Sequence, residues 1–182
     1  MYRILLVDED PAVTNSLTRL LRYTPLVVLG REWHSVVETF DSPIKALARM
    51  EVRGFDLALS GFHMAAMDGV ELLRRFHELQ PNAARVLLSS YADFNGLFGA
   101  MNEAKIDRLI TKPWHDFDLI STLGNILERR GLQLANRALT QHVGGEYHEL
   151  SPVERETRRL EQLEPGITKV EWGPDGAVVM EP

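Results

Sequence analysis

Ile4-Leu5-Leu6-Val7-Asp8-Glu9-Asp10-Pro11 is an unbroken apolar run that stops at three carboxylates and a proline. A short continuous apolar run is the mark of a strand buried on both faces of a parallel sheet. Pro11 follows where a helix tolerates proline, in its first turn. Val13, Leu17, Leu20 and Leu21 then recur at three- and four-residue spacing, which predicts one apolar helix stripe. A strand feeding a helix is half of a βαβ unit, and the chain repeats the pattern.

Residues 24–35 fit neither period and read as a loop or hairpin-like insertion. Residues 36–40 form a second strand, and Asp41-Ser42-Pro43 caps a helix through about Arg53, stopped by Gly54. Residues 55–60 are a third strand, followed by a loop over 61–68 and a helix over Gly69–Leu79 closed by Pro81. A fourth strand is expected over 85–89, a fourth helix over 93–104 and a fifth strand over 108–111. From Asp116 the pattern is helical again, to the region of Gln141. The fold class is therefore α/β, a doubly wound five-stranded parallel sheet with helices on both faces.

The texture changes near the end. Gly144-Gly145 is expected to break the long last helix, and Ser151-Pro152-Val153-Glu154 starts another that ends at Pro165-Gly166. Residues 167–172 and 177–180, joined by Gly173-Pro174-Asp175-Gly176, read as a β-hairpin. The expected division is a domain over 1–130 and a C-terminal extension over 131–182.

With 45% hydrophobic and 25% charged residues among 182, the composition is globular. A net charge of −6 argues against direct nucleic-acid binding. There is no cysteine, hence neither a disulfide framework nor a thiolate metal site. No signal-peptide pattern opens the chain and no apolar stretch approaches bilayer length, so a cytoplasmic protein without membrane contact is expected.

In an open parallel sheet, ligands sit outside the carboxyl ends of the strands. Those ends carry Asp8 and Glu9, Gly61, Ser89 and Lys112. Two carboxylates, a hydroxyl and an ammonium converging there suit a hard cation and a phosphoryl group. Each has a plainer reading alone: the acids cap the first helix, Lys112 is a surface lysine, Ser89 a strand-end hydroxyl. Their joint placement favours the site. The histidines are scattered, and neither a Ser-His-Asp arrangement nor a Gly-rich phosphate loop appears, so no enzyme is expected.

Here the sequence resembles the receiver domains of response regulators over about residues 1–130. Asp8 and Glu9 fall at that family's magnesium-binding acidic pair. The segment from Asp56 to Gly69 matches its third-strand segment, Ser89 its switch hydroxyl, and Lys112, before Pro113, its phosphate-pairing lysine. The resemblance implies a flavodoxin-like strand order of 2-1-3-4-5, a role in two-component signalling and a proline after Lys112 that is usually cis.

The departures carry the function. Gly61 stands where the family has its phosphoacceptor aspartate, and Leu109 where it has an aromatic switch residue. Without a carboxylate there is no nucleophile for aspartyl-phosphate chemistry. Ser60 should point to the opposite face of its strand, away from Asp8 and Glu9, and is not expected to substitute. His63 reads as a solvent-facing loop residue, and Asp56 and Asp68 as structural. The expectation is a pseudo-receiver that binds signalling proteins, with weak magnesium binding at most. The competing reading is an active phosphorelay receiver whose acceptor is lost or replaced at Gly61. Ile120, Leu123, Leu127 and Leu134 lie at heptad-like spacing, consistent with an extended last helix and a homodimer to which the tail contributes; for Ile120 and Leu123 covering the sheet is the better reading.

Overall fold

A computed structural model of the chain describes residues 1–90, 102, 104–148, 156–157 and 159–161, with side chains through residue 140 and at 156–157 and 159–161. The elements in chain order are β1 (Tyr2–Val7), α1 (Pro11–Tyr23), β2 (Leu26–Val28), β3 (Arg31–Trp33), β4 (Ser35–Phe40), α2 (Pro43–Val52), β5 (Leu57–Gly61), α3 (Gly69–Leu79), β6 (Ala84–Ser90), β7 (Arg108–Lys112) and α4 (Asp116–His148). Five strands form one parallel sheet in the order β4-β1-β5-β6-β7. With the short pair β2-β3 set aside, that is the expected 2-1-3-4-5.

The apolar run works as its pattern requires. Ile4 and Leu6 face a cluster built with Leu17 and Leu21 of α1 and Leu119, Leu123 and Leu127 of α4. Leu5 and Val7 face the other side, with Met50 of α2 and Leu72 and Phe76 of α3. All four strand residues are fully buried, which only a sheet covered on both faces allows. Ile120, Leu123 and Leu127 are thus core residues, while Leu134 is exposed.

Residues 24–35 contain an antiparallel hairpin, β2-β3, with Leu29 at φ 52° and Gly30 at φ 70°. Two central residues with positive φ define the two-residue turn whose twist matches a hairpin. Of the three acids after β1, Asp10 is the one that caps α1, its carboxylate accepting from the Ala12 N–H at 2.8 Å. Ser42 precedes α2 without a side-chain cap bond; the charge beside it, Asp41, pairs instead with Lys45 at 3.0 Å.

One expectation fails. Gly144-Gly145 does not break the last helix, which continues to His148. Glycine costs a helix about 1 kcal/mol but remains free to take helical dihedrals, so a pair of glycines is a weaker stop than a proline. Two compact units are distinguished, Met1–Leu134 and Ala135–Pro182, and the boundary falls within α4. The predicted fourth helix, 93–104, and the predicted hairpin, 167–180, lie outside the described residues apart from 102 and 104; of the predicted helix after Ser151, residues 156–157 and 159–161 are described and are helical.

Gly131 sits in α4 with open space where a Cβ would be. Gly131→Ala should therefore add up to about 1 kcal/mol of stability, a rise of about 3 °C in melting temperature by calorimetry. An unchanged or lowered melting temperature would mean that this stretch of α4 does not melt with the rest.

Candidate functional site

Alternation along β1 and β5 settles which side chains meet at the carboxyl end of the sheet. Ile4 and Leu6 share a face with Leu57 and Leu59, so Asp8 and Gly61 continue that face. Ser60 lies on the other. Its hydroxyl is fully buried and donates to the Gly61 carbonyl at 3.0 Å, on the side of α3.

Asp8 is 4% exposed, and both its carboxylate oxygens are engaged. Oδ1 accepts from the Asp10 backbone N–H at 3.0 Å, and Oδ2 lies 2.5 Å from Lys112 Nζ. The Lys112 side chain is 28% exposed, so the pair is buried at its acid end and open to water at its base end. A Cβ on Gly61 would lie 2.4 Å from Asp8 Oδ2 and 2.8 Å from its Cγ. The Asp8 carboxylate therefore occupies the space in which any side chain at position 61 would begin.

Glu9 is tied elsewhere. Its Oε1 accepts from the Ala65 backbone N–H at 2.6 Å, bracing the loop that follows β5. A pocket of about 420 Å³ opens between the acids and the start of α2, lined by Asp8, Glu9, Thr14, Thr39, Asp41 and Lys45 among others. Among the described residues no group of three His, Cys, Asp or Glu side chains could hold a metal ion. Asp8 and Glu9 are each engaged and a lysine already neutralises one of them, so this donor set does not fit a hard divalent cation, which wants several free oxygens.

Ser89 is buried near the end of β6, in register with Thr111, and Lys112 pairs with Ser90. Gly61 pairs with Leu88, and the Phe62 N–H donates to the Leu88 carbonyl at 2.8 Å. The Lys112–Pro113 peptide bond is cis. Leu109 is partly buried against the α2–α3 side of the sheet, and His63 lies against the Phe62 ring, centroids 4.5 Å apart. The structure thus brings Gly61 and Lys112 to the Asp8 carboxylate, ties Glu9 to the loop after β5, and leaves Ser89 near the end of β6 and Leu109 on the opposite face of the sheet. Sequence reasoning missed the backbone N–H groups of Asp10 and Ala65, which no side-chain motif could announce.

A family described as the response regulator receiver domain matches residues 4–124. The response regulator receiver protein CpdR of Brucella abortus is 30% identical over 129 residues, 70% of this chain and 98% of its own. The hydrogenase transcriptional regulatory protein HoxA of Cupriavidus necator is 30% identical over 130 residues, but this chain spans only 25% of its length. Among solved structures, the signal receiver domain of an HD domain-containing protein from Pseudomonas fluorescens Pf-5 aligns with a TM-score of 0.63 at 31% identity, covering 71% of this chain and 97% of that one.

Proposed function

The chain belongs to the response-regulator receiver family of two-component systems, and from that premise we propose that it is a pseudo-receiver, signalling by protein–protein interaction independently of phosphorylation. Receiver domains are generally not enzymes themselves and interact with kinases and other signalling proteins. The observation that carries the reading is the occupied acceptor space: with Gly61 at the end of β5, the Asp8 carboxylate fills the position of its missing side chain and pairs with Lys112. The site is closed by its own ion pair, in which the lysine of the phosphate-pairing position already has an anion. Ser89 and Leu109 stand at the switch positions without an acceptor to report on.

The partner is a signalling protein rather than nucleic acid, in keeping with the negative net charge. Leu132 and Leu134, 50% and 38% exposed on α4, offer apolar surface to such a partner or to a second copy. None of the described helices is long and apolar enough to cross a membrane, and a cytoplasmic location follows from the proposed role.

Incubation with acetyl phosphate and magnesium should leave the intact mass unchanged. Gly61→Asp supplies the carboxylate, displaces the Asp8 oxygen it would otherwise meet, and should tighten magnesium binding roughly tenfold or more by calorimetry, since the site regains a ligand and a negative charge. An acid-labile phosphoryl adduct on the unaltered chain would overturn the reading in favour of an active phosphorelay receiver. Equal magnesium affinity in the two proteins would show that position 61 is not the acceptor position.

A further inference from the structure

The hairpin β2-β3 is not part of the main sheet, and three-residue strands do not hold together alone in water. It is held against α4 in three ways. Leu26 and Val28 are buried in the cluster that contains Leu119, Leu123 and Leu127. Gly124 lets the backbones touch: a Cβ there would lie 2.5 Å from the Val27 carbonyl oxygen. At the tip, the Leu29 N–H donates to Glu128 Oε2 at 3.0 Å.

That last bond joins two oddities. Leu29 takes a left-handed backbone (φ 52°), which costs a residue with a Cβ of the order of 1 kcal/mol, and the residue is 62% exposed. Neither burial nor backbone preference rewards a leucine there; the charge-assisted bond to Glu128 is what the tip gains from the docked position. The next two residues of α4 grip other segments. Arg129 lies 3.5 Å from Asp107 at the entrance to β7, and Arg130 donates to the carbonyls of Asn82 at 3.1 Å and Ala83 at 2.6 Å. Successive helical residues point about 100° apart, so Glu128, Arg129 and Arg130 hold the helix on three sides at one level.

We propose that the hairpin is a displaceable clasp on α4, through which an event at the hairpin tip changes the stability of the helix at residues 127–134. Such a coupling offers a receiver without an acceptor an input that is not phosphate. The hairpin has the properties the role requires: strands of three residues, a left-handed tip and a polar tie from that tip to the element it controls. Coupling of this kind is reciprocal, so loosening either partner must loosen the other.

Hydrogen exchange on the full chain tests it. Glu128→Ala removes the acceptor while placing the best helix former in α4, so its intrinsic effect on the helix is neutral or favourable. The clasp nevertheless demands that amides at 127–134 exchange roughly tenfold faster or more, together with those at 27–31. Leu29→Asn keeps the N–H and relieves the left-handed strain, and should slow exchange in both segments. Exchange at residues 4–7 reports whether the sheet is intact. Faster exchange confined to the hairpin in Glu128→Ala, or no change in α4 with Leu29→Asn, would overturn the proposal and leave the hairpin as a passive cover.

Discussion

Lys112→Met should lower the stability of the chain by roughly 2–3 kcal/mol in a urea titration, far more than loss of a surface ion pair. The Asp8 carboxylate is 4% exposed and keeps, once the ammonium is gone, the bond from the Asp10 N–H. Breaking a buried pair by removing one partner leaves an uncompensated charge, whose cost is about 3–5 kcal/mol in a dry interior. The loss falls below that range because the lysine end is 28% exposed, so water reaches the oxygen that Lys112 leaves. The double variant Asp8→Asn, Lys112→Met should be more stable than the sum of the single losses predicts, by roughly 1–3 kcal/mol, since the two residues are in contact. A loss under about 0.5 kcal/mol for Lys112→Met would mean that the pair is solvated in solution and that the closed site does not exist.

The sheet was legible because its strands are continuous apolar runs, and such runs have few other places to go in a chain of alternating strands and helices. Asp8, Gly61 and Lys112 were legible as neighbours for a related reason: strand ends converge at one edge of a parallel sheet whatever the loops do. What stayed hidden was the consequence of Gly61. The sequence shows a missing carboxylate; that Asp8 takes up the vacated volume and binds Lys112 depends on rotamers and distances. The helix through Gly144-Gly145 is not legible because glycine, though a poor helix former, remains free to take helical dihedrals and so marks a stop only weakly. The hairpin was half-read for a similar reason. Leu29-Gly30 is not a typical turn pair, and Glu128, which stabilises it, lies 99 residues away in the chain.

Gly69→Ala should be the most damaging single-methyl change in the site, with a loss of roughly 3 kcal/mol or more. The new Cβ would lie 2.1 Å from the Gly61 carbonyl oxygen, 2.8 Å from Leu87 Cδ1 and 2.9 Å from Ser60 Oγ. The first of these is backbone and cannot rotate away. Gly69 is also tied in place by its own N–H, which donates to the Phe62 carbonyl at 2.8 Å, and by Asp68, which caps α3 through the Glu71 N–H at 2.8 Å. Relief therefore requires the start of α3 to move off the end of β5. Helix propensity alone predicts the opposite sign, because Ala is favoured over Gly by about 1 kcal/mol in a helix; the clash has to overcome that gain as well. Gly61→Ala is the informative partner. Its Cβ would meet the Asp8 carboxylate, the far end of a side chain that can turn, so its loss should be smaller, about 1–2 kcal/mol. The order of the two losses, measured by urea denaturation, separates backbone contact from side-chain contact on opposite faces of β5. If Gly61→Ala proved the more damaging, the Asp8–Lys112 pair would be the rigid element of the site, and the α3 junction the one that yields.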